Sequence, residues 1–165
     1  MHFLKLIYLN MFDTEKLPVE ELISGERNII ANTANIAALI YSSWADVNWA
    51  GFYFLSGDEL VLGPFQGKPA CIRIPMGKGV CGAAAKMRKT IIVDDVETFP
   101  GHIACDPHSV SEMVVPIVAS GQLVGVIDLD SPIHKRFTEI EKIEIERIAR
   151  VIGEQCDFSS LEIYY

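Results

Sequence analysis

The 165-residue sequence contains no apolar run long enough to cross a membrane. The apolar opening "MHFLKLIYLNM" (1–11) is too short to span a bilayer and lacks the small-residue cleavage site of a secretory leader. It reads either as an extra strand or as an extension upstream of Met11, after which "FDTEKLPVEELISGE" looks like an ordinary domain start. Close cysteine pairs are also missing. Cys71, Cys81, Cys105 and Cys156 include no CxxC, and separations of ten and then twenty-four residues between the first three argue against zinc, although His102 and His108 flank Cys105. GxxxxGK[ST] does not occur, and although "GKGVCG" (77–82) spells GxGxxG, the negative net charge disfavours a phosphate cradle there. Positive charge is scarce: 14 Lys and Arg against 22 Asp and Glu give a net charge of −8 and a pI near 4.9. That balance argues against a nucleic-acid groove or an anionic membrane surface and suits cationic or zwitterionic partners. With half its residues hydrophobic and 22% charged, the chain has the composition of one globular domain, and a chain this long does not need disulfide staples. A reducing, cytoplasmic setting is expected.

From Leu17 to Trp44 apolar residues recur every three or four positions, which predicts a helix, with Pro18 suited to its first turn and Ser24-Gly25 able to split it in two. "VNWAGFYFL" (47–55), the turn "SGD" and "ELVLGPF" form a hairpin. "ACIRIP" (70–75) is a further strand, followed by a glycine loop and the short helix "CGAAAKMRK" with Cys81 near its N-terminus. "TIIVDD" is a strand, and "VETFPGHIACDPHS" a long loop with room for one helical turn. A second hairpin occupies residues 112–130. Behind it, Thr138 and Glu141 form a capping box for an amphipathic helix whose expected buried stripe is Ile140, Ile143, Ile148, Val151 and Ile152. These elements make an α+β domain around a central antiparallel sheet, with the N- and C-terminal helices on one face. The other face and the loop 94–111 remain to build a pocket.

In the second hairpin Asp128 and Asp130 share a face with Val124 and Val126, while Leu123, Gly125, Ile127 and Leu129 take the other. A three-residue turn "ASG" with Gly121 left-handed would pair Val118 with Gln122 and bring Glu112 opposite Asp128. Three carboxylates on one patch would raise at least one pKa unless a cation joins them, so the patch could bind an ammonium group while keeping one acid protonated. The plainer alternative is a solvated strand end. Among the cysteines, Cys156 and Cys71 read as buried filler, whereas Cys81 at a helix N-terminus and Cys105 in a Gly/Pro/His loop are redox candidates. Trp49 and Tyr53 lie on one face of their strand with Val47 and Leu55, either as core or as the wall of an apolar pocket.

Taken together, "VNWAGFY", "GPFQGKPAC", "GKGVCG", "FPGHIACD", "SEMVVP" and "GVIDLDSP" resemble the free methionine-R-sulfoxide reductases, a GAF-domain family, in order from about Gly25 to about Ile152. On this resemblance residues 1–10 are an N-terminal extension, 11–155 a GAF domain and 156–165 a C-terminal tail. The resemblance implies thiol-dependent reduction of free L-methionine-(R)-S-oxide, with Cys105 attacking, Cys71 resolving and Cys81 as the competing nucleophile. Glu112 would protonate the sulfoxide oxygen, Asp128 and Asp130 would hold the α-ammonium, and Trp49 and Tyr53 would pack the S-methyl end. Thioredoxin would restore the dithiol, no metal or organic cofactor is implied, and a homodimer is expected. Two rival readings are a non-catalytic GAF sensor of small molecules and a redox sensor that forms a disulfide without turnover.

Overall fold

The computed structural model describes residues 16–103, 106–159 and 161, so the question of a strand in the opening eleven residues lies outside the described residues. Its strands are β1 (Trp49–Ser56), β2 (Glu59–Gly67), β3 (Arg73–Pro75), β4 (Ile91–Val93), β5 (Ser111–Ala119) and β6 (Gln122–Ser131). They form one antiparallel sheet in the order β3-β2-β1-β6-β5-β4. Helices α1 (Val19–Leu22), α2 (Ile29–Ser43) and α4 (Glu139–Gln155) cover one face, and α3 (Gly79–Met87) packs on the other.

The N-terminal periodic stretch does divide. Gly25 turns the chain at a φ of +79°, and Asn28 starts α2 by accepting the backbone N–H of Ala31 at 2.9 Å. The capping box of α4 is present: the Thr138 N–H donates to Glu141 Oε2 at 3.0 Å, and the Thr138 hydroxyl accepts from the Ile140 N–H. Between the sheet and these helices lies the larger core, built on Ile36, Ile40, Phe52, Phe54, Met113, Ile127, Ile148 and Ile152. Cys156 is buried there, as expected of a small hydrophobe. The stripe expected of α4 needs correction, because Ile140 and Ile143 are 59% and 61% exposed, whereas Ile145 and Ala149 are buried. Residues two apart on an α-helix point about 200° apart, so Ile143 and Ile145 cannot both face the core.

The second hairpin also differs from its expected register. Ser120 and Gly121 form a two-residue turn with φ of +50° and +78°, pairing Ala119 with Gln122 rather than Val118 with Gln122. An irregularity follows, where Val118 pairs with Leu123, Ile117 pairs with Gly125 and Val124 is skipped. Leu123 and Val124 thereby exchange faces: Leu123 joins the α3 side, and Val124 packs toward the larger core. Glu112 therefore sits opposite Asp130 and Val114 opposite Asp128, yet all three carboxylates stay on the α3 face. Two smaller corrections concern the first hairpin and β3. Val47 precedes β1 and packs in the larger core, and β3 begins only at Arg73, leaving Cys71 in the preceding connection.

Candidate active site

The site lies where α3, β1, β6, β5 and the loop after β4 meet. Trp49 and Tyr53, two positions either side of Gly51, are buried and stacked, with ring centroids 5.9 Å apart. Gly51 is required between them, because a Cβ there would stand 2.5 Å from the Trp49 ring and 2.4 Å from Phe65 Cβ. Each aromatic is anchored by its polar edge: the Trp49 Nε1–H donates to the Lys68 carbonyl at 3.1 Å, and the Tyr53 hydroxyl to the Cys71 carbonyl at 3.0 Å. Tyr53 thus ties the aromatic wall to the segment that carries Cys71. Across the strand pair, Trp49 stands opposite Asp130 and Gly51 opposite Asp128.

Glycine also explains the approach of α3. At Gly82 a Cβ would lie 2.5 Å from the Pro75 carbonyl oxygen, so "GKGVCG" serves close backbone packing of helix on strand. That packing drives Cys81 into the carboxylates. Its Sγ lies 4.0 Å from Glu112 Oε1, and Cys81 Sγ, a Glu112 oxygen and an Asp128 oxygen all fall within 4.8 Å of one another.

Burial dominates the electrostatics here. It pushes the Glu112 carboxyl well above the usual carboxylate range, and the nearby charges of Asp128 and Asp130 push it further. Asp130 is raised first by burial and then by Asp128, against the opposing hydrogen bond of the Ser109 hydroxyl. Asp128 is pushed up to about 7 by burial, tempered by Cys81 and Glu112 beside it. Its Oδ1 is buried without a hydrogen-bond partner among the described residues. No lysine or arginine forms an ion pair with any of the three acids among the described residues, and His102, whose Nε2 is 3.6 Å from Glu112 Oε2, is held toward its neutral form by burial.

The expectation that a helix N-terminus would favour a Cys81 thiolate is overturned. Burial and then the charges of Asp128 and Glu112 push this thiol well above its ordinary value, and a partial dipole charge does not offset two adjacent carboxylates. The reading of Cys71 as buried filler also fails, because it is half-buried and disulfide-bonded, whereas Cys81 and Cys156 are free thiols. Cys105 lies outside the described residues.

Sequence reasoning named His102, His108 and the loop but missed Asp106 between them and how they are used. Asp106 is buried, accepts the His108 backbone N–H at 2.9 Å and pairs with Lys68 Nζ at 3.2 Å, contacts that hold its carboxyl below the usual range. Two cavities flank the acids. One, of about 30 Å³, is lined by Cys81, His102, Ile103, Asp106, Glu112 and Asp128; the other, of about 10 Å³, by Trp49, Tyr53, Pro69, Ala70 and the same aspartates. A roomier groove of about 540 Å³ runs elsewhere, between α4, β5 and the end of α3, and it is lined by Arg88, Lys89, Lys142 and Arg150 without any thiol. Chemistry, rather than size, selects the site beside the three acids.

These features define a GAF domain with a small-molecule site on its α3 face, and the GAF family model matches residues 28–156. Over 118 residues the chain is 52% identical to the free methionine-R-sulfoxide reductase of Escherichia coli, covering 72% of each. It is 45% identical to the free methionine-R-sulfoxide reductase of Saccharomyces cerevisiae over 150 residues, covering 86% of this chain and 83% of that one. The X-ray structure of the Neisseria meningitidis free methionine-R-sulfoxide reductase in complex with its substrate superposes with a TM-score of 0.81 at 38% identity, covering 89% of this chain and 87% of that chain. The chain belongs to the free methionine-R-sulfoxide reductase family of GAF domains.

Proposed function

We propose that this protein reduces free L-methionine-(R)-S-oxide to methionine through a dithiol–disulfide cycle. The observation that carries the reading is the acid trio of buried Glu112 and Asp128 with half-buried Asp130, which no lysine or arginine neutralises among the described residues and which adjoins the aromatic wall of Trp49 and Tyr53. Such a trio suits an α-ammonium group, whose charge would let two carboxylates ionise while a third keeps its proton. Asp128 and Asp130 take the ammonium in this reading, and Glu112, held well above the usual carboxylate range by burial and by the two aspartates, is the proton donor to the sulfoxide oxygen. Trp49 and Tyr53 pack the S-methyl end. A peptide-bound methionine sulfoxide has an amide in place of the ammonium and would leave the acids uncompensated.

Cys105 is the attacking thiolate. Its sulfur bonds to the sulfoxide sulfur while Glu112 protonates the oxygen; the oxygen passes to the cysteine as a sulfenic acid, and methionine departs with its sulfur reduced. Cys71 then displaces water from the sulfenic acid to form a disulfide, which the dithiol of thioredoxin reduces. The disulfide at Cys71, with Cys81 and Cys156 left as free thiols, supports Cys105 as its partner. The raised thiol of Cys81 argues against Cys81 as the nucleophile. We further propose a homodimer in the cytoplasm; no helix among the described residues is long and apolar enough to cross a membrane.

Coupled oxidation of NADPH through thioredoxin reductase and thioredoxin tests the reading. The free R-sulfoxide should support turnover, and the S epimer and a peptide sulfoxide should not. No turnover with the free R-sulfoxide would sink the enzyme and leave a sensor GAF domain.

A further inference from the structure

Cys81 has no part in the dithiol cycle, yet it is the buried thiol that adjoins the acids. A substrate ammonium would satisfy the carboxylates but gives no reason for a sulfur among them. Three elements, α3, β5 and β6, converge to hold Cys81 Sγ, a Glu112 oxygen and an Asp128 oxygen within 4.8 Å of one another, all three residues buried. Asp128 Oδ1 is buried with no hydrogen-bond partner among the described residues, an acceptor waiting for a donor or a cation. His102 Nε2, 3.6 Å from Glu112 Oε2, stands on the loop side outside that 4.8 Å group and would have to swing in to join it.

We propose that this cluster is a second, inhibitory binding site for a thiophilic divalent cation of the zinc type, ligated by Cys81 Sγ, Glu112 and Asp128, with His102 Nε2 as the fourth donor. Mixed sulfur, imidazole and carboxylate donors in a set of four favour zinc over magnesium or calcium, which take oxygen ligands in larger numbers. With Zn–S near 2.3 Å and Zn–O near 2.0 Å, a tetrahedral sulfur–oxygen edge is roughly 3.5 Å. The 4.0 Å between Cys81 Sγ and Glu112 Oε1 needs a contraction of about half an ångström, within rotamer adjustment of a glutamate. Binding exchanges the Cys81 proton, and any proton on the two carboxyls, for the metal; nothing is oxidised or reduced. Because Asp128 and Glu112 also serve the proposed amino-acid pocket, metal and sulfoxide would exclude each other, a corollary that rests on that functional reading.

Titration of the metal-free protein with Co2+, its Cys71 disulfide left oxidised so that the exchange thiols are blocked, tests the site. A thiolate-to-cobalt charge-transfer band with the visible bands of tetrahedral Co2+ should saturate at one equivalent and disappear when Zn2+ is added. C81S should lose the charge-transfer band, E112Q and H102A should each weaken Co2+ binding at least roughly tenfold, and C156S should keep the band. No charge-transfer band in the wild type, or a band that survives in C81S or vanishes in C156S, would overturn the proposal. Saturating free R-sulfoxide should displace Co2+. A band unmoved by sulfoxide, in a preparation that turns sulfoxide over once reduced, would overturn the shared location without touching the reductase reading.

Discussion

Replacing Asp128 with asparagine should make the protein less active and, as pH rises, increasingly more stable relative to wild type, with a pH dependence fixed by where the carboxyl sits. Burial raises Asp128 from 3.8 to about 7. Below about pH 4 the group is protonated in both folded and unfolded chains, and it costs little. Between 3.8 and about 7 the unfolded chain ionises while the folded one does not, so stability falls as pH rises. Above about 7 both are ionised and the loss is complete, on the order of 4 kcal/mol at about 1.4 kcal/mol per pH decade. An amide of the same shape does not ionise and so removes the loss at every pH. Against this stands the new NH2 group, in a position where Asp128 Oδ1 has no partner among the described residues, at a cost of about 1–3 kcal/mol that does not vary with pH. The decisive quantity is therefore the difference between two pH values. Urea unfolding of D128N and wild type, at about pH 4 and about pH 8 in one redox state, should show D128N gaining about 3–4 kcal/mol relative to wild type between the two. Free methionine sulfoxide should raise the wild-type midpoint and leave that of D128N nearly unmoved. A relative gain under about 1 kcal/mol, or one of opposite sign, would refute the account of Asp128 as a buried acid awaiting a cation.

Three further outcomes follow from the same structure. E112Q should lower kcat by roughly a hundredfold or more with the smaller effect on KM; the wild-type kcat/KM should fall below about pH 7, as Asp128 takes up its proton, and fall again at high pH as the raised Glu112 loses its own, a limb that E112Q removes. Under a dimedone trap, mass spectrometry should find the substrate-dependent adduct on Cys105 in the C71S variant and none in C105S; an adduct retained in C105S and lost in C81S would make Cys81 the nucleophile. T138A, which breaks the capping box of α4, should cost about 1 kcal/mol in urea unfolding and leave turnover unchanged, since Thr138 lines neither cavity beside the acids.

Much of the fold was legible because local chemistry decided it. The capping box at Thr138 and Glu141, the turn glycines and the alternating hairpin strands need only neighbours in sequence, and each appears where periodicity and turn residues point. Errors arose where geometry depends on more than spacing. The turn after Ala119 could close with two residues or three, and Ser120 accepts a left-handed φ that glycine was expected to take. Helical stripes tolerate one surplus isoleucine, so Ile140 and Ile143 could not be distinguished from Ile145 without the core they do or do not face. The clustering of Glu112, Asp128 and Asp130 survived the register error because a shift of two residues keeps every side chain on its own face of the sheet. The character of Cys81 was not legible, since its thiol is governed by carboxylates that stand 31 and 47 positions later in the chain.

That last point bears on the proposed choice of Cys105 over Cys81 as nucleophile. A thiolate inside the acid trio would face the same penalty that raises Glu112, Asp128 and Asp130, and the closer it came to the proton donor the less it would ionise. On the proposed reading an arriving ammonium would cancel part of that negative field, and substrate binding itself would favour the attacking thiolate. Access must be gated in the same way. Cavities of about 30 and 10 Å³ hold a water or two, not an amino acid, and their floor is sheet and α3, locked by glycine-mediated backbone contact. The wall that carries His102, Ile103, Asp106 and Ser109 is loop, held by the Lys68–Asp106 pair, the Asp106–His108 turn and the Asn48–Ser109 hydrogen bond. Entry by displacement of this wall, followed by its return over the bound amino acid, would couple two events in one motion. On the proposed reading the ammonium would reach the acids as water leaves the sulfoxide, and a substrate that cannot supply the ammonium would give the wall no reason to close.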